Sequence, residues 1–132
     1  MLKKFILLFF IQLFIANSSI SMEKESTFNK KLFDKAQSEG KVVIVSSWIK
    51  YCSSCASQMK VLNNAKNDGK LFDIKFDNIE YFSFDVTNKD IANLLNVKFQ
   101  TTLLIFKNNN EIYRSLGETT EDLIYEALKK SI

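Results

Sequence analysis

The sequence predicts an α/β domain, a central mixed β-sheet with helices on both faces. Three observations carry that expectation. Helical and extended patterns alternate along most of the chain, the layout that gives parallel strands joined by crossover helices. Val42-Val43-Ile44-Val45 is apolar without alternation, as expected of a strand buried on both faces. Asn108-Asn109-Asn110 separates two extended runs with residues that tolerate positive φ, so the last two strands should form an antiparallel hairpin.

The elements follow in order. Glu23 to Ser38 reads as a first helix, with Thr27 as a possible cap and Phe28, Leu32, Phe33 and Ala36 on one face. Gly40 stops it, and Lys41 to Ser47 is the buried strand. A second helix is expected from about Ser53 to Asn67, with Ala56, Met59, Val61 and Leu62 inward and Asp68-Gly69 as its end. Leu71 to Asn78 alternates apolar and charged residues and fits either a loop with buried anchors or a short strand. Ile79 to Val86 is a strand. Thr87 or Asn88 caps a short helix carrying Ile91, Leu94 and Leu95. Thr102 to Lys107 and Glu111 to Leu116 are the hairpin strands. Gly117 breaks the second, and Thr119 to Ser131 closes the chain as an amphipathic helix with Leu123, Ile124, Ala127 and Leu128. Thr119 and Asp122 loosely fit a capping box.

Cys52-Ser53-Ser54-Cys55 holds the only two cysteines. The motif sits where the buried strand and the aromatic-flanked turn Trp48-Ile49-Lys50-Tyr51 give way to a helix. Two thiols at that spacing on a helix start can close a disulfide with little backbone movement. The unsatisfied N–H groups and partial positive charge of a helix N-terminus stabilise a thiolate on the first cysteine. A thiolate attacks disulfides and a thiol does not. Dithiol–disulfide chemistry is therefore expected, with a metal role or an inert structural disulfide as the competing accounts. A structural zinc site needs further Cys or His ligands, and the chain has no histidine and no third cysteine.

Residues 1–21 read as a secretory signal peptide, and residues 22–132 as one small domain. Lys3 and Lys4 are the charged region, and Phe5 to Ile15 is apolar except for Gln12. Ala16-Asn17-Ser18 and Ser19-Ile20-Ser21 offer cleavage sites. The apolar run is shorter than the roughly 20 residues of a membrane-spanning helix. A periplasmic or secreted location follows, and it permits disulfides. The formal net charge of +3 includes Lys3 and Lys4, and the other lysines are scattered among acids. Composition thus gives no argument for nucleic acid or an anionic surface. Proline is absent as well as histidine, so a missing proline or histidine can reflect composition as well as function.

Val42 to Cys55 and Asn96-Val97-Lys98-Phe99-Gln100-Thr101-Thr102-Leu103-Leu104-Ile105-Phe106-Lys107-Asn108 together resemble the thioredoxin family. The likeness covers roughly Lys41 to Ile132. Phe84-Asp85-Val86-Thr87-Asn88 and the helix after it look most like the periplasmic C-terminal domain of DsbD, a thiol:disulfide interchange protein. The resemblance implies a thioredoxin-like fold and a thiol:disulfide oxidoreductase with no bound cofactor and no metal. Cys52 would be the attacking, more exposed thiol and Cys55 the buried resolving thiol. Trp48 and Tyr51 would wall the site and offer apolar surface to a client, with core packing the competing account for Trp48. Gln100 and Thr101 would line the substrate site, because the family's cis-proline position falls on Thr101. The implied partners are protein thiol or disulfide clients and a redox partner, a membrane-bound one among the options, with a monomeric protein.

Three features depart from the family pattern. Thr101 replaces the cis-proline, and a cis bond before a non-proline residue costs about 2.5–4 kcal/mol. The Gln100–Thr101 bond is therefore expected to be trans. Ser46 replaces a buried acid that assists proton transfer from the resolving thiol, and the DsbD-like companion acid falls on Met59. Ser53-Ser54 replaces the familiar Gly-Pro. Without a nearby carboxylate the Cys52 thiolate forms more easily, which favours an oxidant, whereas the nearest family likeness favours a reductant. The alternative function is a binding module: two thiolates holding copper(I), with Met59 nearby, or a scaffold that binds clients without redox chemistry.

The leader generates a first prediction. N-terminal sequencing of periplasmic or secreted protein should begin at Ser19 or within a few residues of it. Recovery of the full-length chain from membranes would instead identify an uncleaved anchor.

Overall fold

The computed structural model describes residues 24–132. The signal peptide expected over residues 1–21 lies outside the described residues. The elements are α1 (Lys30–Ser38), β1 (Val42–Trp48), α2 (Ser53–Asp68), β2 (Lys70–Leu71), β3 (Ile74–Lys75), β4 (Ile79–Asp85), α3 (Lys89–Leu94), β5 (Thr102–Lys107), β6 (Asn110–Leu116) and α4 (Glu121–Ser131). The main sheet has the order β4-β1-β5-β6. Strand β1 runs parallel to β4 and antiparallel to β5, and β5 pairs antiparallel with β6. The mixed sheet is the expected one.

Strand β1 lacks alternation because both its faces are covered. Val42 and Ile44 join Leu62 and Ala65 of α2 and Ile124, Ala127 and Leu128 of α4 in one core layer. Val43 and Val45 join Phe33 and Ala36 of α1 and Ala92 of α3 in the other. The central strand therefore needs apolar side chains at successive positions, and an alternating sequence would bury charge on one side.

Helix boundaries differ from the sequence expectation where several hydroxyls compete for one cap. Helix α1 starts at Lys30, and its cap is Asn29, which accepts the Leu32 N–H at 3.0 Å. Thr27 is occupied elsewhere: β4 is an edge strand, and the Thr27 and Ser26 hydroxyls accept the Ser83 and Asp85 N–H groups at 2.9 and 3.0 Å. Satisfying that edge keeps the chain extended through residues that the pattern alone makes helical. Helix α4 is capped by Thr120, not Thr119. Leu32, Leu94 and Leu123 are exposed, because each lies at the margin of its helix's apolar stripe. In α2, Ala56 and Val61 are only half-buried, while Cys55, Gln58 and Ala65 are buried with Met59 and Leu62. Gly69 ends α2 in the left-handed region at φ +73°.

Leu71 to Asn78 resolves into a small hairpin of β2 and β3, anchored by buried Leu71 and Phe76. Asn108 and Asn109 take φ of +51° and +63° and join Lys107 to Asn110, its partner across the hairpin. Asn88 caps α3. Among the described residues no helix is long and apolar enough to cross a membrane.

Leu62 carries the contact of α2 with the sheet and is fully buried. Leu62→Ala should lower unfolding stability by about 2–5 kcal/mol. Urea titration of the mature domain checks it, and a loss below 1 kcal/mol, taken as roughly one hydrogen bond, would mean that α2 is held mainly by other contacts.

Candidate functional site

The site forms where β1 ends and α2 begins. Trp48 is the last residue of β1, and Tyr51 turns the chain at φ +62°. Cys52 then occupies the N-cap of α2 in extended conformation. Its Sγ accepts the Cys55 N–H at 3.2 Å, the position that a Ser or Asp oxygen fills in most helices. Cys52 and Cys55 are joined by a disulfide, with Cα atoms 5.3 Å apart. Cys55 is fully buried and Cys52 is half-buried, so one sulfur faces the outside and the other the core.

The second wall is the loop from α3 to β5. Arg114 of β6 fixes its start by donating to the Leu95 and Asn96 carbonyls at 2.8 and 2.9 Å. Ser47 of β1 fixes its end. The Thr101 N–H donates to the Ser47 carbonyl at 2.8 Å, and the Thr102 N–H donates to Ser47 Oγ at 3.0 Å. Both the Ser47 and Thr102 hydroxyls donate to the Phe99 carbonyl, at 2.8 and 2.7 Å. All peptide bonds among the described residues are trans. The chain makes the bend instead through Thr101 at φ +60°, an uncommon conformation for a β-branched residue.

That bend aims the Thr101 side chain at the disulfide. Its Oγ1 lies 3.2 Å from Cys55 Sγ, 3.6 Å from Cys52 Sγ and 3.1 Å from Ser54 Oγ. Ser54 Oγ is in turn 3.4 Å from Cys52 Sγ. Disulfide sulfurs carry no proton, so the hydroxyls are the donors to them in this state. Among the described residues the hydrogen-bond partners of the two sulfurs are all neutral: two hydroxyls and one backbone amide.

The position of the family's buried acid is neutral too. Ser46 Oγ and Tyr81 OH share a hydrogen bond of 2.7 Å inside the core. Burial pushes the Tyr81 phenol well above its ordinary value of 10.0, the Ser46 bond pulling slightly the other way. Met59 is buried.

The structure thus brings Cys52, Cys55 and Thr101 into one cluster with Ser54. Tyr51 is 91% exposed and presents aromatic surface beside Cys52. The turn at positive φ throws its ring outward, where Lys50 Nζ lies 5.1 Å from the ring centroid. Trp48 is half-buried, with an indole N–H that has no partner among the described residues. Gln100 is exposed next to Thr101. Two further residues hold the site together. Ser47 does so through the bonds above. Gln58 is fully buried and donates from Nε2 to the Glu118 carbonyl at 2.9 Å and the Thr101 carbonyl at 3.4 Å. The signal for both was a polar residue at an inward position of an apolar strand or helix. Among the described residues no group of three or more His, Cys, Asp or Glu could hold a metal ion.

Two predictions arise from this geometry. Thr101→Pro removes the amide donor to Ser47 and demands φ near −65° where the chain has +60°. It should cost more than about 1 kcal/mol of stability. Unchanged urea unfolding would show that the loop refolds freely around proline. Tyr81 adds a pH dependence. Its phenol keeps its proton in the folded state above the pH at which the unfolded chain loses it. Its contribution is therefore complete below about pH 10 and is lost as pH rises above that. Tyr81→Phe should flatten the alkaline fall in stability, and a slope identical to that of the unaltered protein would exclude Tyr81 as its source.

Comparisons with known proteins agree with this architecture. The family model described as Thioredoxin matches residues 19–130. The H-type thioredoxin of Fagopyrum esculentum is 24% identical over 100 residues, covering 75% of this chain and 79% of that protein. The crystal structure of Trxlp from Edwardsiella tarda superposes with a TM-score of 0.64 at 25% identity, covering 75% of this chain and 92% of that one. Fasciola hepatica thioredoxin superposes at 0.62 with 19% identity, covering 76% and 88%. With its mixed four-stranded sheet, its flanking helices and its paired cysteines at the start of α2, the chain belongs to the thioredoxin family and is a thiol:disulfide oxidoreductase.

Proposed function

We propose that this protein is an exported oxidoreductase that exchanges disulfides with protein clients through Cys52 and Cys55. The observation that carries the division of labour is the asymmetry of the pair: Cys52 is the half-buried helix cap and Cys55 is fully enclosed. In the reduced protein the Cys55 N–H, the helix N-terminus and the Thr101 and Ser54 hydroxyls all stabilise a Cys52 thiolate. That thiolate attacks a client disulfide and forms a mixed disulfide, releasing one client thiol. Cys55 then attacks Cys52 Sγ, releases the second client thiol and leaves the disulfide seen here. The reverse sequence oxidises a dithiol client.

Tyr51, 91% exposed, and Phe99, 60% exposed, supply apolar surface for a client near the sulfurs. Gln100 offers exposed backbone beside Thr101. No bound cofactor enters the cycle; a redox partner, membrane-bound or free, resets the pair. On this reading Lys3, Lys4 and the apolar run after them act as a leader over residues 1–21, the protein works in the periplasm or outside the cell, and it does so as a monomer. The likeness of Phe84 to Asn88 to the DsbD domain supports a place in the same kind of electron relay. The neutral surroundings of the sulfurs support a couple more oxidising than that of a reducing thioredoxin, because among the described residues no carboxylate is hydrogen-bonded to either sulfur to oppose the thiolate of the reduced state.

Equilibration of the mature domain in glutathione buffers tests the reading. The expected potential lies above the roughly −270 mV of thioredoxin. A lower value would make the protein a reductant, and failure to cycle would remove the redox role. Alkylation of the reduced protein near neutral pH should label Cys52 before Cys55. Cys55→Ser should accumulate mixed disulfides, and Cys52→Ser should form none.

A further inference from the structure

The resolving step requires Cys55 to lose a proton, and Cys55 is fully buried. Water has no direct access to its sulfur. The Ser46 hydroxyl is bound to Tyr81, and among the described residues neither sulfur has a carboxylate or amine as a hydrogen-bond partner. Gln58 presents donor N–H groups to the Thr101 carbonyl and cannot accept a proton there. The Glu118 carboxylate is taken by the Tyr113 hydroxyl at 2.9 Å and by the Ser115 hydroxyl. Among the described residues one continuous path leads outward from Cys55. Cys55 Sγ touches Thr101 Oγ1 at 3.2 Å, Thr101 Oγ1 touches Ser54 Oγ at 3.1 Å, and Ser54 is exposed to solvent and lies 3.4 Å from Cys52 Sγ.

We propose that Thr101 and Ser54 form a two-hydroxyl proton relay from the buried Cys55 thiol to the client sulfur leaving Cys52. The relay rests on the disulfide-exchange reading above. In the mixed disulfide Cys52 is bonded to the client sulfur and Cys55 carries its proton. Cys55 Sγ bonds to Cys52 Sγ as the bond from Cys52 to the client breaks, and the client sulfur takes that bonding pair. Cys55 gives its proton to Thr101 Oγ1, Thr101 gives its own to Ser54 Oγ, and Ser54 gives its own to the departing sulfur. Both hydroxyls end as they began, and the client leaves as a neutral thiol. A hydroxyl both donates and accepts, which is what each link requires. Proline at residue 101 can do neither with its side chain.

The test uses the reduced mature protein and oxidised glutathione as the disulfide probe. Trp48, the only tryptophan, reports the reaction by stopped-flow fluorescence. At saturating probe the plateau rate measures resolution of the mixed disulfide, confirmed by acid quench and mass spectrometry. At about pH 6, below the ordinary thiol pKa, Thr101→Val should lower that plateau at least about tenfold, at the low end for proton-transfer catalysis. Thr101→Ser should hold it within about threefold, and Ser54→Ala should slow it also. The unaltered protein should show a solvent deuterium isotope effect on the plateau. The deficits should narrow as pH rises, because hydroxide then competes with the hydroxyls as proton acceptor. A Val variant with an undiminished plateau, or with the same deficit at every pH, overturns the relay and leaves the exchange activity standing. If the unaltered protein forms no resolvable mixed disulfide at all, the oxidoreductase reading falls and the relay falls with it. Should Thr101→Val fail to fold, Thr101→Ser and Ser54→Ala decide the matter: an unimpaired Ser54→Ala plateau rejects the second link.

Discussion

The Thr101 N–H donated to the Ser47 carbonyl at 2.8 Å governs the geometry of the site. It joins the end of β1, which leads into the cysteines, to the start of β5, which carries the facing wall. Proline cannot make this bond, since it has no N–H. Once the amide is spent on Ser47, the chain must turn within one residue to enter β5. It does so at φ +60°, and that turn directs the side chain towards the sulfurs and the carbonyl towards Gly117 and Gln58. A left-handed conformation costs a residue with a Cβ about 1–2 kcal/mol. The bonds of Ser47, Thr102, Gly117 and Gln58 around the loop, each worth about 1 kcal/mol, more than offset it.

The elements legible in the sequence are those whose cause is local. The doubly covered strand showed itself in Val42 to Val45, the hairpin in Asn108 and Asn109, and the helix-capping cysteine in the switch from strand to helix at Cys52. Each needs only a periodicity or a turn residue within a few positions. The helix starts were harder to read because neighbouring residues offer rival caps. Asn29 prevailed because Thr27 satisfies the exposed edge of β4, a fact about a strand 56 residues away. The same applies within the site. Gln58 and Ser47 hold residues that lie between 43 and 60 positions along the chain, and no local pattern encodes those meetings. The aromatic pair was half legible. Trp48 sits against the fold, while the positive φ of Tyr51, invisible in composition, turns its ring into solvent.

Neutrality is the other constraint on the site. A buried carboxylate at residue 46 would have to be desolvated, and it would repel a thiolate nearby. Serine avoids both costs, but a lone buried hydroxyl would then lack a partner. Tyr81 supplies it from the adjacent parallel strand, two residues before the Ser83 that pairs with Ser46. The core thus closes over the vacated acid position without an unsatisfied group there. Charge in the cluster can arise only on sulfur, and the donors around Cys52 stabilise that charge.

Removing a carboxylate and a proline from such a site ought to leave two deficits, one in proton handling and one in loop geometry. The structure meets both with the same residue type. Hydroxyls at Ser47 and Thr102 hold the loop through the Phe99 carbonyl, and hydroxyls at Thr101 and Ser54 reach the sulfurs. A hydroxyl can hold a carbonyl by donating and pass a proton by accepting and donating in turn, whereas proline only shapes the chain and a carboxylate brings charge. Because Thr101 belongs to both sets, its backbone and side chain serve different ends. The amide fixes the loop to β1 and the hydroxyl meets Cys55, so the position of the loop and the surroundings of the buried sulfur are coupled through one residue.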